Sequence, residues 1–184
     1  MKRTLALALV SALFAAGCAQ KAPQLRVEPT YQEAANAPLL QNSREAVGRL
    51  VAGLDVAATG PGPVLVATVV NVNDLSRSAP LGRTLSEQYA NNMAAIGFDV
   101  KEIKLRGDVF VKEGAGELLL SREIKDIARH HNASMVLVGT YSPAANFTYV
   151  SMKLVRTEDS RIIRRHDYAL PNDRDVQRLL AVAR

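Results

Sequence analysis

The chain has 184 residues, 48% of them hydrophobic, and a formal net charge of +5 from 23 basic and 18 acidic residues. That length buries one sizeable core. The basic excess is mild and aromatic residues make up 5% with no Trp, so neither a strongly basic face nor an aromatic stacking platform for nucleic acid is indicated.

Met1-Lys2-Arg3 forms a positive start, and Leu5 to Phe14 is a mostly apolar run. This layout reads as a secretory leader, with an apolar run too short to span a bilayer. Small residues, Ala15-Ala16-Gly17, then lead into Cys18, the only cysteine. They resemble a bacterial lipobox, in which the thiol is acylated and the chain is cut just before it. Gly17 fits the position before the cut, while Ala15 stands where Leu is usual. The other reading is an ordinary leader and a soluble periplasmic product. A lone cysteine in an exported chain has no internal disulfide partner, so acylation accounts for both its solitude and its place. Cutting there removes Lys2 and Arg3 and leaves 21 basic against 18 acidic residues, a charge of +3. Ala19, where Asp commonly retains lipoproteins in the inner membrane, favours the outer membrane.

Residues 18–41 carry Pro23, Pro29 and Pro38 with no sustained period, which reads as a tether. About 20 such residues reach roughly 65 Å extended and roughly 25 Å as a relaxed coil. A helix is expected from Asn42 or Ser43, with Val47, Leu50, Val51 and Leu54 on one face. Gly60-Pro61-Gly62-Pro63 breaks the chain. Val64 to Val70 suits a strand buried on both faces. Ser78 is expected to cap the next helix, with Pro80 in its first turn and Leu81, Leu85, Tyr89, Met93 and Ile96 facing inward. Gly97 ends it.

Phe98 to Leu105 reads as a strand and Val109 to Val111 as a short edge strand. Gly114 and Gly116 lie in a loop before a helix that Ser121 caps, with Ile124, Ile127, Ala128 and His131 on one face. Ser134 to Thr140 is a second buried strand. Phe147 to Arg156 and Arg161 to Leu170 read as two strands joined through Glu158-Asp159-Ser160. Asn172 or Asp173 caps a last helix carrying Val176, Leu179, Leu180 and Ala183, whose final turn is expected to fray. Helices between strands imply right-handed crossovers, and the last strands imply an antiparallel meander. The fold class is α/β (α+β), a single domain with a mixed β-sheet packed by helices. The organisation is 1–17 leader, 18–41 tether and 42–184 folded domain.

Leu81-Gly82-Arg83, Ser86-Glu87-Gln88 and Gly97-Phe98-Asp99-Val100 resemble the opening half of the FlgO domain. Gly116 to Glu123 (Gly-Glu-Leu-Leu-Leu-Ser-Arg-Glu) resembles that family's most recognisable motif, and Ala133 to Tyr141 its closing strand. The resemblance spans about Val64 to Leu170. It implies a non-enzymatic outer-membrane lipoprotein needed for assembly or stability of the flagellum. It also implies a fold like other periplasmic α/β modules, such as the N-terminal domain of TolB and the lipoprotein of the curli secretion channel.

Few motifs point to chemistry. Gly114-Ala115-Gly116 is not a phosphate cradle, because Leu119 stands where a third glycine belongs and no Gly-Lys-Ser/Thr follows. His130 and His131 point about 100° apart on a helix and His166 is distant, so no metal set is expected. Ser86-Glu87 and Ser121-Arg122-Glu123 offer hydroxyls beside carboxylates, but no Gly-x-Ser-x-Gly appears. Glu117 and Arg122 span a loop–helix junction and are candidates for pinning the Gly-rich loop or for binding a partner. Arg161, Arg164, Arg165 and His166 form a basic patch that alternation divides between two strand faces. It reads as a solvated edge guarding against strand pairing, or as a contact for an acidic partner or an anionic envelope polymer.

The reading is therefore a lipoprotein with no cofactor and no catalytic residue, bearing N-acyl and S-diacylglycerol groups on Cys18. It sits at the outer membrane, facing the periplasm, with flagellar envelope or ring proteins as partners, and oligomerisation is left open. The alternatives are an envelope adaptor for a secretion channel or a peptidoglycan synthase, and a periplasmic ligand-binding protein or hydrolase.

Overall fold

The computed structural model describes residues 28–60, 62–75, 78–103, 110–112, 118–120 and 122–181, with the backbone alone at 58, 110–112, 118–120, 122 and 123. The chain divides into a unit ending at Ala34 and a unit from Ala35 onward. In the first, Thr30 and Glu33 cap helix α1 (Tyr31–Ala35) reciprocally. The Thr30 N–H donates to the Glu33 carboxylate at 2.7 Å and the Glu33 N–H to the Thr30 hydroxyl at 3.2 Å. Those bonds hold the Glu33 carboxyl below its ordinary pKa.

The second unit begins with α2 (Pro38–Leu50) and a 3₁₀ turn (Val56–Thr59). The helix starts at Pro38, earlier than expected. Proline is well placed in a first turn, and Ser43 lies mid-helix, buried, with its hydroxyl donating to Leu39 O at 2.8 Å. Residues 31–35 and 38–41, read as tether from their proline content, are thus helical.

The Val64–Val70 run is two strands, β1 (Val64–Ala67) and β2 (Val70–Asn71). Both pair parallel to β6 (Met135–Pro143), and the register advances four residues from Val66 to Val70 against three from Leu137 to Thr140. The extra residue makes a bulge that separates the strands. Next come α3 (Pro80–Ala95), β3 (Val100–Ile103), β4 (Phe110–Lys112), β5 (Leu118–Leu120) and α4 (Arg122–His130). β4 and β5 form a separate antiparallel pair. β5 was not anticipated, because three leucines carry no alternation that marks a strand. The chain ends with β7 (Phe147–Arg156), β8 (Ile162–Pro171) and α5 (Arg174–Leu180).

The main sheet runs β3-β1-β6-β7-β8. β3, β1 and β6 are parallel, and β6, β7 and β8 form the expected meander. The fold class is the α/β mixed sheet read from the sequence. One face packs Val66, Leu137, Met152 and Leu154 against Val47 and Leu50 of α2, Leu81, Leu85, Tyr89 and Met93 of α3, and Val176 of α5. On the other, Leu65, Val70, Val136, Val138 and Val155 pack against Ile124 and Ala128 of α4. Both faces are covered around β1, which explains its unbroken apolar run.

Both crossover helices end in the same way. The Phe98 N–H donates to Met93 O and the Gly97 N–H to Ala94 O, with Gly97 at φ 104. This left-handed cap closes α3 and buries Phe98. Ile96, expected to face inward, is the C-cap residue and is 47% exposed. Asn132, at φ 50, plays the glycine's part after α4, where the Ala133 N–H donates to Ala128 O.

Asn172 ties the end of β8 to the β6–β7 turn. Its side-chain N–H groups donate to Ala144 O at 2.7 Å and Ala145 O at 3.3 Å, and its carbonyl accepts the hydroxyl of buried Thr148 at 2.8 Å. Asp173 beside it caps α5, accepting from the Val176 N–H at 2.8 Å. Asn172→Ala leaves the Thr148 hydroxyl without that acceptor in a site with no exposure. It is expected to cost about 1–3 kcal/mol, read as a lower urea midpoint at constant slope. An unchanged midpoint means that Thr148 has found another acceptor.

Candidate interaction surface

Two of the segments singled out in the sequence, Leu81-Gly82-Arg83 and Gly139-Thr140-Tyr141, meet at the bulge between β1 and β2. Gly82, in the first turn of α3, lies against Val69, and a Cβ there would sit 2.0 Å from Val69 O. Ser78 does not cap α3. The N-cap is Ala79, which makes no side-chain cap bond, and the Ser78 hydroxyl donates instead to Val69 O at 2.8 Å. The Ala79 N–H donates to the buried Tyr141 hydroxyl at 3.0 Å. The Val69 side chain approaches Gly139, where a Cβ would lie 3.2 Å from it. The Leu81-Gly82-Arg83 and Gly139-Thr140-Tyr141 stretches therefore lock one helix start onto one bulge, which is architecture and not chemistry.

The accessible feature is the face of the meander beyond α4. Strand register sets its rows: Val138 with Lys153 and Arg165, Thr140 with Ser151 and Asp167, Ser142 with Tyr149 and Ala169. α4 covers the Val136 and Val138 end. The remainder is a shallow groove of about 470 Å³ lined by Val72, Thr140, Ser142, Tyr149, Ser151 and Asp167, among others. Tyr149 is 56% exposed and Phe147 44%. The basic patch divides as alternation requires. Arg165 is on the groove face and exposed, while Arg164 and His166 are half-buried on the helix-packed face, where His166 stacks on Tyr168. Neither Arg165 nor Asp167 has an ion pair or side-chain hydrogen bond among the described residues.

Beneath β8 the Tyr168 and Tyr89 hydroxyls meet at 2.5 Å. Burial pushes the Tyr168 hydroxyl up to about 12, against a smaller downward pull from hydrogen bonds with Tyr89 and Ser43. Burial also raises Tyr89 well above the ordinary tyrosine value, reinforced by Tyr168 beside it. The pair was not legible in the sequence, because the two residues lie 79 positions apart.

Other predicted sites have plainer fates. Cys18, Gly114, Gly116, Glu117 and Ser121 lie outside the described residues, and Arg122 is described only as the first residue of α4. His130 and His131 sit exposed at the end of α4, their rings edge to face with centroids 5.4 Å apart. Among the described residues no group of three or more His, Cys, Asp or Glu side chains is placed to hold a metal ion, and no helix is long and apolar enough to cross a membrane.

The family described as FlgO protein matches residues 44–175. The chain belongs to the FlgO family. The match covers the folded unit from the second turn of α2 to the start of α5 and contains every motif that carried the resemblance. No curated protein sequence matches the chain. Among solved structures it is similar to the LpoB C-terminal domain from Escherichia coli. That likeness has 19% identity and TM-score 0.49, covering 72% of this chain and 97% of that one. It is also similar to a PelC dodecamer chain from Paraburkholderia phytofirmans, at 17% identity and TM-score 0.44, covering 60% and 72% respectively. For the lipoprotein GNA1162 from Neisseria meningitidis the identity is 13% and the TM-score 0.41, covering 62% and 85%.

Proposed function

We propose that this FlgO-family chain is a non-enzymatic outer-membrane lipoprotein, acylated on Cys18, that supports assembly or stability of the flagellum and hence motility. The observation that carries the reading is the family match over residues 44–175. The leader with Cys18 behind Ala15-Ala16-Gly17 supports the anchor. The flagellar partners are envelope or ring proteins, met by the periplasm-facing surface of the domain.

Deleting the gene is expected to abolish or sharply reduce swimming while leaving general envelope integrity intact. A plasmid copy of the parent restores it. A Cys18→Ser copy loses a lipid-sized mass, leaves the membrane fraction and fails to restore swimming. Normal filaments and normal swimming in the deletion strain overturn the flagellar role, as does crosslinked material dominated by another envelope machine. A Cys18→Ser chain that keeps its mass and its membrane fractionation overturns the anchor.

A further inference from the structure

Strand β8 ends the main sheet, so among the described residues one side of its backbone is unpaired. Its phase is set by the bond from the Asn172 N–H to Asn146 O at 2.9 Å. In antiparallel pairing, alternate residues exchange bonds with the neighbouring strand. Leu170, Tyr168, His166 and Arg164 therefore turn their backbone groups toward β7, opposite Thr148, Val150, Met152 and Leu154. Ala169, Asp167 and Arg165 turn theirs outward. Such an edge is a template for a further strand.

The side chains on this edge select what pairs with it. Arg165 and Asp167 sit two positions apart on the groove face, both exposed and both without a charge partner among the described residues. Arg165 lies opposite Lys153 of β7, a like-charge pair within the chain. We propose that β8 pairs antiparallel with β8 of a second copy of this chain, about a two-fold axis at His166. That makes one continuous sheet across a symmetric dimer.

Three symmetric registers set the charged positions 165 and 167 against themselves or each other. Centring on Arg165 sets arginine against arginine, and centring on Asp167 sets aspartate against aspartate. Centring on His166 sets Arg165 against Asp167 of the second copy, and Asp167 against its Arg165. Of these three, the His166 register alone brings opposite charges together, twice, on the same sheet face. It also brings an aspartate beside the Lys153–Arg165 pair. The backbone phase agrees: Arg165, Asp167 and Ala169 form the bonded pairs, and His166, whose groups serve β7, forms the central unbonded pair. Pro171, which has no N–H, falls at the strand's end, where an edge tolerates it. Self-complementarity of this kind is what a two-fold interface requires. The same charges oppose the two registers that set like against like, so the guard on this edge also acts as its code.

The test is native mass spectrometry of the full chain released from detergent micelles, over concentrations up to about 100 µM. The parent is expected to be a dimer. Arg165→Asp and Asp167→Arg each set like charges against one another at both pairs and should lower the dimer's association constant roughly tenfold or more. Combining the two substitutions recreates opposite pairs and should restore the dimer. Circular dichroism confirms that each variant is folded. As a second measurement, His166→Cys in intact cells places two thiols across the axis within disulfide reach. It should give an oxidant-dependent dimer that neither the parent nor Tyr168→Cys gives. A monomeric parent, a dimer indifferent to both single reversals, or a double variant that is not rescued overturns the proposal. None of these readings uses motility or membrane fractionation, so the result is separate from the flagellar assignment.

Discussion

Gly82→Ala is expected to destabilise the protein by about 3 kcal/mol or more, although it replaces a helical glycine with the best helix former. Helix propensity alone favours alanine by about 1 kcal/mol. Here the added Cβ would stand 2.0 Å from the Val69 carbonyl oxygen and 2.3 Å from the Ser78 hydroxyl. The neighbour is backbone in a bulged strand between two packed layers, so α3 must lift away. Overpacking of this kind costs about 1–3 kcal/mol. Lifting also loosens the Ser78–Val69 and Ala79–Tyr141 hydrogen bonds, each contributing about 0.5–1.5 kcal/mol. Gly48 is the control. It lies on the exposed side of α2, and a Cβ there meets nothing within 4 Å. Gly48→Ala should stabilise by about 0.4–1 kcal/mol. Urea unfolding of the two variants beside the parent decides the matter. If both raise the midpoint, propensity governs Gly82 and the packing account is wrong.

The second large effect is alkaline. In the unfolded chain Tyr168 loses its proton near the ordinary tyrosine value of about 10, whereas in the folded protein burial holds it to about 12. Between those values the unfolded state binds fewer protons than the folded one, so stability falls as pH rises. The contribution is fully present below pH 10 and is lost as pH climbs through about 12. At about 1.4 kcal/mol per unit it is worth roughly 2–3 kcal/mol, and Tyr89 acts in the same direction. Urea midpoints for the parent should hold between pH 8 and 9 and decline from pH 10 to 11. Tyr168→Phe starts lower, by about 1–3 kcal/mol, because the buried Tyr89 hydroxyl loses its partner. Above pH 10 it should decline less steeply. Parallel slopes for parent and variant would refute the buried-pair reading.

What could be read beforehand depended on how local each determinant is. The inner face of α3 was legible as Leu81, Leu85, Tyr89 and Met93, because helical spacing is a local property and all four are buried. Its last expected member, Ile96, failed because the left-handed cap at Gly97 turns Phe98 inward instead. The hairpin through Glu158-Asp159-Ser160 was legible for the same reason. Ser160 takes φ 61 and Arg156 pairs with Asp159 at 3.1 Å, all within one short turn. Ser78 reads as a cap in the sequence but is not one, because a hydroxyl before a helix has two uses. The choice between capping the helix and bonding Val69, nine positions back, is made by where the bulge lies.

The sequence by itself determined the order of most helices and strands, most of the apolar faces and the family. Each of these is carried by residue type at short spacing. The tertiary structure decided why Gly82 and Tyr141 stand where they do, how the two tyrosines come to share a buried bond, and which strand is left at the edge. These are contacts between segments far apart in the chain, set by sheet order and register. For that reason Arg161 to His166 read in the sequence as an undifferentiated basic patch. In the folded protein, register sets Arg165 and Asp167 side by side on the open edge, as a self-complementary pair of charges.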